Sequence, residues 1–184
     1  MHVEATAIPA VKIITPKKFG DARGFFSETY SKAAWDKAGL DYVFVQDNHS
    51  FSAAAGTLRG LHFQIPPFAQ DKLVRAGRGR ILDVAVDVRR SSPTFGKYVA
   101  VELSAENWRQ LLIPVGFAHA FVTLEPDCEA LYKTTAPYSP EHDRGVAWDD
   151  PDIGIKWPLP DGGPTLSDKD KKWPRLKAAP DLFP

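Results

Sequence analysis

The chain has 184 residues, of which 43% are hydrophobic and 25% charged, and its 23 basic side chains balance its 23 acidic ones. This balance excludes the global basic field with which proteins collect nucleic acid or anionic lipid, so any anionic ligand must be met by local cations. The 16 prolines and 13 glycines divide the chain into short segments, which favours strands and turns over long helices.

The length fits a single domain, residues 1–184, with a loop-rich segment from about residue 137. The N-terminus carries Glu4 and no apolar run of signal-peptide length, and no later stretch approaches the roughly 18 apolar residues that span a bilayer. We therefore expect a cytoplasmic protein without membrane contact. The single cysteine, Cys128, cannot form an internal disulfide and is expected to be a buried packing thiol.

The chain begins with β-like runs and one helix. Residues 11–14 and 25–30 are short β-like runs with turn chemistry between them. Ser31 is expected to cap a helix over residues 32–38, which Gly39 ends.

A longer β-like run covers residues 42–51. Its alternation places Gln46, Asn48 and Ser50 on one face. A row of polar side chains on one face suits hydrogen bonds to a ligand, and a merely solvated face is the equally weighted alternative.

The densest group of polar side chains follows, in residues 57–64 and 70–74. A histidine, two cations and two amides stand here in strand-forming sequence, namely His62, Arg59, Lys72, Gln64 and Gln70. Such a group is typical of a polar site set into an apolar sheet, and we interpret it as the reaction centre. Strict alternation places Arg59 and His62 on opposite faces, and a bulge at Gly60 would bring them to the same face.

The clearest two-residue period lies in residues 80–88. It predicts one packed face and one partly polar face; the first holds Leu82, Val84, Val86 and Val88, and the second holds Ile81, Asp83, Ala85 and Asp87. Further β-like runs follow at spacings of about 10 to 12 residues, at 97–103, 110–113, 118–123 and 129–134. Regular short strands of this kind predict a sandwich or barrel.

The last fifth of the chain is rich in proline, aspartate, glycine and tryptophan and is expected to be loops. Ser167 is expected to cap a short helical turn that holds Asp168 and Asp170.

Two segments resemble the paired signature of the cupin barrels. They are Gly56 followed by His62, and Pro-x-Gly-x-x-His over residues 114–119. Metal-binding cupins supply a second histidine and then a glutamate, and this chain has Gln64 and Phe68 or Ala69 at those places. Because an amide is a poor ligand for borderline metals and the carboxylate is missing, we expect no metal.

With these motifs in view, the sequence closely resembles the dTDP-4-dehydrorhamnose 3,5-epimerase family over nearly its whole length. Eight blocks in the right order carry the resemblance: Asp21-x-Arg23-Gly24-x-Phe26-x-Glu28, Gln46-x-Asn48-x-Ser50, residues 58–64, residues 72–74, Pro114-x-Gly116-Phe117-Ala118-His119, Tyr132-Lys133, Trp148-x-Asp150-Pro151 and Leu166-Ser167-x-Lys169-Asp170. The resemblance implies an all-β, cupin-like jelly-roll barrel with a few short helices, a homodimer and no cofactor. It also implies the reaction, which converts dTDP-4-dehydro-6-deoxy-D-glucose to dTDP-4-dehydro-L-rhamnose in the making of activated deoxysugars for bacterial surface polysaccharides or secondary metabolites.

The residue types suit this chemistry. A carbonyl at carbon 4 acidifies the hydrogens on carbons 3 and 5, so inversion needs a base on one face, an acid on the other and a cation at the enolate oxygen. His62 is the predicted base because an imidazole titrates near neutrality, and the resemblance gives Asp170 the task of orienting it. Tyr132 is the predicted acid, since a phenol stays protonated at neutral pH. Lys72 would hold the enolate oxygen, and Asp83, on the next strand, would keep its ammonium in place.

Arginine suits a diphosphate because its guanidinium offers planar, paired donors, so Arg59 and Arg23 are expected to bind it. Of the other substrate-binding candidates, His119, Gln46 and Asn48 are expected to contact the phosphate or the sugar. Glu28 is expected to contact the nucleotide base, and Tyr138 to stack on the sugar or on that base. In the family, the N-terminal segment crosses to the neighbouring subunit. Arg23 and Glu28 are therefore expected either in their own chain's site or in the partner's.

Four other functions compete with the double epimerase. They are epimerisation at carbon 3 or carbon 5 alone, ketoisomerisation, non-catalytic binding of a nucleotide sugar, and metal-dependent cupin chemistry. The pairing of a base, His62, with an acid, Tyr132, argues against a plain ketoisomerase. One centre and two centres stay open, because both carbons would use the same groups.

Overall fold

The computed structural model describes all 184 residues, which form thirteen strands, one α-helix and three short 3-10 helices. The strands are β1 His2–Ala5, β2 Lys12–Thr15, β3 Phe19–Asp21, β4 Gly24–Phe26, β5 Gln46–Ser52, β6 Leu58–Gln64, β7 Lys72–Arg78, β8 Arg80–Asp87, β9 Tyr98–Ser104, β10 Gln110–Ile113, β11 Phe117–Thr123, β12 Cys128–Thr134 and β13 Asp143–Gly145. The helix α1 is Lys32–Lys37, and the 3-10 helices are Pro140–His142, Asp170–Lys172 and Leu176–Ala178.

Two antiparallel sheets face each other and form the body of the molecule. The first has six strands in the order β1-β2-β10-β7-β12-β5, and the second has five in the order β13-β6-β11-β8-β9; β3 and β4 form a separate hairpin. Apolar side chains from both sheets meet between them, such as Val74 and Leu111 from the first and Ala85 and Phe121 from the second. The predicted all-β, cupin-like jelly roll with little helix is confirmed.

Strand β8 lies between β11 and β9 in the second sheet, and both of its faces are buried. Ile81 and Ala85 point into the core between the sheets, whereas Val84 and Val86 pack beneath C-terminal residues such as Leu176. The expected partly polar face is therefore the interior face, and the loop-rich C-terminal segment covers the other one.

Helix α1 forms where it was predicted. The Ser31 hydroxyl accepts a hydrogen bond from the Ala34 amide at 3.4 Å, and Gly39 follows with φ +73°. Trp35 is only 1% exposed and packs with Leu73 and Leu112 on the outer face of the six-stranded sheet. Burial of this one large side chain is what holds a helix of six residues in place.

Residues 42–45 were predicted to be strand but lie outside it. Tyr42 and Phe44 instead pack against Trp35, with ring centroids 6.1 and 5.5 Å away. Aromatic residues with high β-propensity thus serve helix packing here, because β-propensity reports burial as much as backbone preference. Similarly, only residues up to Phe26 of the predicted run 25–30 are strand. Strands β1, β3 and β13 were not predicted.

The C-terminal segment is mostly loops, as expected, and it carries one capped turn. The Ser167 hydroxyl accepts a hydrogen bond from the Asp170 amide at 3.1 Å, which confirms the predicted cap. Asp168 lies just before the 3-10 helix rather than within it. Cys128 is 1% exposed, as expected for a packing thiol. None of the helices is both long enough and apolar enough to cross a membrane.

Candidate active site

A cavity of about 410 Å³ opens between the two sheets, and a side cavity of about 240 Å³ adjoins it. Both are lined by His62, Lys72, Tyr132 and Lys169. The first, called here the main cavity, also holds Ser50, Arg59, His119, Ser167 and Asp170. The side cavity also holds Gln46, Asn48, Gln64, Tyr138 and Asp143. Most of the predicted site residues therefore come together at one place.

The bulge predicted at Gly60 is present. His62 lies opposite His119 and Arg59 lies opposite Phe121, so two residues of β6 stand against one of β11. Gly60 has φ +131°, and a Cβ atom there would lie 2.5 Å from the Cα atom of Ala120. Only glycine fits this position. The extra residue lets both Arg59 and His62 line the main cavity.

His62 is held by Asp170 from the C-terminal 3-10 turn. Its Nε2 atom lies 2.5 Å from Oδ1 of Asp170, whose side chain is 4% exposed. Burial would raise the pKa of Asp170, but the hydrogen bond with His62, the charge of that ring and the Ser167 hydroxyl outweigh burial and lower it. The aspartate therefore stays ionised and fixes the ring, and Nδ1 of His62 has no hydrogen-bond partner within the chain.

Lys72 enters the cavity from the opposite sheet and is 8% exposed. Its Nζ atom donates a hydrogen bond to the main-chain oxygen of His62 at 3.3 Å. Burial lowers the pKa of Lys72 to about 8, although nearby carboxylates oppose this shift. A lysine with so low a pKa is unusual outside functional sites.

Asp83 does not hold Lys72, so the predicted pairing was wrong. Its Oδ1 atom lies 2.6 Å from Nε2 of His119, on the neighbouring strand of the same sheet. Asp83 lies opposite Phe121, two residues from His119, so their side chains share a face, whereas Lys72 comes from the other sheet. The strand pattern placed Asp83 on the interior face correctly, but it carried no information about which strand would be its neighbour.

The Asp83 and His119 pair is almost fully buried, with side chains 0% and 8% exposed. Burial raises the pKa of Asp83 and lowers that of His119, and both shifts favour the uncharged forms. The Oδ2 atom of Asp83 has no hydrogen-bond partner in the chain. His119 lines the main cavity as predicted, and Asp83 fixes its ring.

Tyr132 stands on β12, in the sheet opposite His62. Burial raises the pKa of its hydroxyl, and Arg59 only partly offsets this. The phenol therefore keeps its proton over a wide pH range, as a general acid must.

The predicted row of polar side chains on β5 faces the cavities rather than solvent, so the ligand-facing interpretation is favoured over the solvated one. Gln46 and Asn48 line the side cavity, and Ser50 lines the main cavity. The Gln46 amide is nevertheless already engaged, since it donates to Asn48 at 2.8 Å and accepts from the Tyr138 amide at 3.0 Å. Gln46 thus positions the Tyr138 turn. Tyr138 is 55% exposed and its hydroxyl donates to Oδ2 of Asp143 at 3.3 Å, so its ring remains accessible to a ligand.

Gln64 occupies the place where metal-binding cupins have their second histidine, and its amide braces two loops. It accepts from the Ser139 amide at 2.7 Å and donates to the carbonyls of Phe68 and Pro137 at 2.6 and 3.1 Å. No group of three or more histidine, cysteine, aspartate or glutamate side chains is arranged to hold a metal.

Arg23 and Glu28 lie outside both cavities of their own chain. Arg23 is at the turn of the β3–β4 hairpin, where its side chain is 90% exposed and pairs with Asp21 at 2.6 Å. Glu28 is also exposed. A single chain therefore does not bring these two predicted binding residues to the site.

Two charged residues of the site were given no role by the sequence, Lys169 and Asp143. They form an ion pair beside Lys72 in the side cavity. Lys169 directly precedes Asp170, so its position beside a predicted site residue could have indicated it. Asp143 had none, because strand β13 takes its form from pairing with β6.

The comparisons with known proteins agree with this geometry. Residues 5–178 match the family model described as dTDP-4-dehydrorhamnose 3,5-epimerase. The chain is 55% identical to the dTDP-4-dehydrorhamnose 3,5-epimerase of Sinorhizobium fredii, over 100% of this chain and 93% of the relative.

Two solved structures show the same fold. One is dTDP-4-dehydrorhamnose 3,5-epimerase from Bacillus anthracis with TDP and PPi bound, at TM-score 0.91 and 49% identity, covering 95% of this chain and 98% of that one. The other is dTDP-6-deoxy-D-glucose-3,5-epimerase from Legionella pneumophila in complex with dTDP-4-keto-L-rhamnose, at TM-score 0.92 and 44% identity, covering 96% and 93%. On the family match, the full-length identity and the shared fold, this chain belongs to the dTDP-4-dehydrorhamnose 3,5-epimerase family.

Proposed function

We propose that this chain epimerises dTDP-4-dehydro-6-deoxy-D-glucose at carbons 3 and 5 to give dTDP-4-dehydro-L-rhamnose, with His62 as base and Tyr132 as acid. One observation carries the assignment of roles: His62 projects from the five-stranded sheet, and Tyr132 and Lys72 project from the six-stranded sheet into the same cavity. A sugar ring held between the sheets has a base on one face and an acid on the other, which is what inversion requires.

The reaction proceeds by one proton removal and one proton return at each centre. His62 takes the proton from carbon 3 or carbon 5. The C–H electron pair forms a double bond to carbon 4, and the carbonyl oxygen takes the negative charge of the enolate. The Lys72 ammonium stabilises the negative oxygen. Tyr132 then protonates the carbon from the opposite face and is reprotonated from solvent, while Asp170 stabilises the imidazolium until it returns its own proton to solvent.

The main cavity also provides groups for the diphosphate. Arg59 is anchored by a hydrogen bond to the Phe51 carbonyl at 3.1 Å, and it retains further N–H donors. Ser50, Ser167 and His119 line the same cavity. We place the diphosphate along these residues and the sugar beside His62, with Gln46, Asn48 and Tyr138 at the sugar side.

We further propose a homodimer in which the β3–β4 hairpin completes the partner's site. The hairpin exposes Phe19, Phe25 and Phe26 at 53%, 55% and 70%, and a cluster of exposed aromatic side chains marks an interaction surface. Trp108 holds the base of the hairpin, since its Nε1 donates to the Ser27 hydroxyl at 2.9 Å. In such a dimer, Arg23 and Glu28 would contact the nucleotide in the partner's cavity.

The substrate is a nucleotide-activated sugar of cytoplasmic biosynthesis, so we place the protein in the cytoplasm.

Incubation with dTDP-4-dehydro-6-deoxy-D-glucose in heavy water, with the deuterium positions determined by NMR, tests this function. Label at both carbon 3 and carbon 5 with inverted product supports the double epimerase. Label at one carbon alone identifies a mono-epimerase, which is the alternative because both centres use the same groups. Binding without exchange at either carbon identifies a non-catalytic cupin. His62→Ala serves as the matched control and should incorporate no label.

A further inference from the structure

An ion pair that the proposed reaction does not use lies at the edge of the side cavity. Asp143 is on β13, where its backbone pairs with Gln64, and Lys169 immediately precedes Asp170. The Nζ atom of Lys169 contacts Oδ2 of Asp143, and the Tyr138 hydroxyl donates to the same oxygen at 3.3 Å. The Asp143 side chain is 8% exposed and that of Lys169 is 45% exposed.

The same cavity is lined by Lys72, which has no carboxylate within ion-pair distance. Charged and titratable groups face it from every element around it. They are Arg59 and His62 on β6, Asp83 on β8, His119 on β11, Tyr132 on β12, Asp143 on β13, Tyr138 on the preceding loop, and Lys169 and Asp170 at the 3-10 turn. After burial, which lowers the pKa of Lys72, the largest influence is the charge of Asp143, which raises it; Asp83 raises it less, and Lys169 lowers it.

We propose that Asp143 and Lys169 are a positioning pair that sets the protonation of Lys72. Asp143 supplies the negative charge that keeps the buried ammonium protonated, and Lys169 competes for that charge. The inference rests on the proposed function, because it gives Lys72 the enolate oxygen. With a pKa of about 8, the Lys72 ammonium is charged at neutral pH. That pKa is close enough to neutrality for one neighbouring charge to change the protonated fraction of Lys72.

We expect replacement of Asp143 and replacement of Lys169 to change the pKa of Lys72 in opposite directions. Asp143→Asn removes the attraction and leaves Lys169 unpaired, so Lys72 should lose its proton at lower pH. Lys169→Met removes a repulsive charge and frees Asp143, so Lys72 should keep its proton to higher pH. A merely structural strap would respond alike to the loss of either partner, since both changes break the same contact.

The first measurement needs no substrate. The free protein is labelled at lysine Cε with carbon-13, the Lys72 resonance is assigned by its absence in Lys72→Met, and its titration midpoint is followed by NMR. We expect a midpoint near 8 in the native protein, a lower one in Asp143→Asn and a higher one in Lys169→Met. The double variant should lie between the two single variants.

The matched controls are Lys171→Met and Asp168→Asn. These residues form a similar pair at 3.0 Å in the same stretch of chain, but they are exposed and line neither cavity. Neither change should move the Lys72 midpoint, because exposed charges are screened by solvent.

The second measurement is the pH profile of kcat/KM, which reports groups of the free enzyme. Its alkaline limb should move with the NMR midpoint, to lower pH in Asp143→Asn and to higher pH in Lys169→Met. Unchanged midpoints, or midpoints that move in the same direction, would overturn the proposal. If the two variants shift the Lys72 midpoint in opposite directions but the protein has no epimerase activity, the positioning role of the pair is supported and the proposed function is refuted. Should Asp143→Asn fail to fold, Lys169→Met alone decides, since a midpoint that stays or falls overturns the proposal.

Discussion

The ammonium of Lys72 donates a hydrogen bond to the main-chain oxygen of His62 at 3.3 Å, across the gap between the two sheets. The contact places a cation next to the base, where enolate charge would develop, and it uses only one of the three ammonium protons. The remaining donors are available to a ligand. The geometry that favours catalysis therefore leaves a buried charge incompletely paired in the free protein.

Replacement of Lys72 by methionine should stabilise the fold at neutral pH while abolishing epimerisation. The pKa of Lys72 is about 8 in the folded chain and 10.5 in the unfolded one, so below pH 8 the folded state bears the full cost of the buried charge. A difference of this size corresponds to about 3 kcal/mol. Between pH 8 and 10.5 the unfolded state binds more protons, so native stability rises with pH and the advantage of Lys72→Met shrinks.

Urea unfolding of both proteins at pH 7, 9 and 10.5 measures this difference. Lys171→Met is the control, because Lys171 is exposed and its replacement should change the free energy of unfolding little. A methionine variant that is less stable than the native protein at pH 7 would contradict the burial cost.

An isotope experiment should distinguish the role of His62 as base from that of Tyr132 as acid. His62→Ala should abolish both epimerisation and solvent exchange, because no other base is proposed to reach carbon 3 or carbon 5. In Tyr132→Phe the base and Lys72 remain, so the enolate forms and is protonated again on the face it left. Deuterium then enters with retained configuration, and epimerisation falls by about a hundred- to ten-thousand-fold, the usual contribution of a positioned general acid.

NMR of the product in heavy water measures both quantities. If Tyr132→Phe loses exchange as completely as His62→Ala, the tyrosine has a binding role instead. An undiminished rate of epimerisation would identify water as the acid.

Activity should survive removal of metal ions. Gln64 stands where metal-binding cupins have a ligand, and all three of its hydrogen bonds brace the loops at Phe68, Pro137 and Ser139. Assays after dialysis against a chelator, and again after addition of single divalent ions, should give the rate of the untreated enzyme. Activity that disappears on chelation and returns with one metal would refute this.

Complementation between two inactive variants tests the shared site. If Arg23 serves the partner's cavity, a mixed dimer of Arg23→Ala and His62→Ala chains has one site with both lesions and one site with neither. Mixing should therefore restore activity, up to half that of the native enzyme in each mixed dimer. If subunits are shown to exchange and no activity is recovered, Arg23 does not serve the partner's cavity.

Local patterns in the sequence were sufficient for most elements of the sandwich. The two-residue period of residues 80–88 predicted β8, and Ser31 predicted the start of α1. The need for a bulge at Gly60 also followed from the sequence, because Arg59 and His62 could share a cavity only if an extra residue stood between them. These features depend on backbone geometry and on neighbouring residues along the chain, which a sequence displays directly.

Only the tertiary structure decided which charges meet. Asp83 was assigned to Lys72 by its strand face, but the sheet order puts His119 beside it. Asp143 carried no functional signal until β13 paired with β6, and its contact with Lys169 forms only where the C-terminal turn closes over the cavity. Pairing between charges depends on distances set by sheet order and loop closure, and residues far apart in the chain do not reveal these distances.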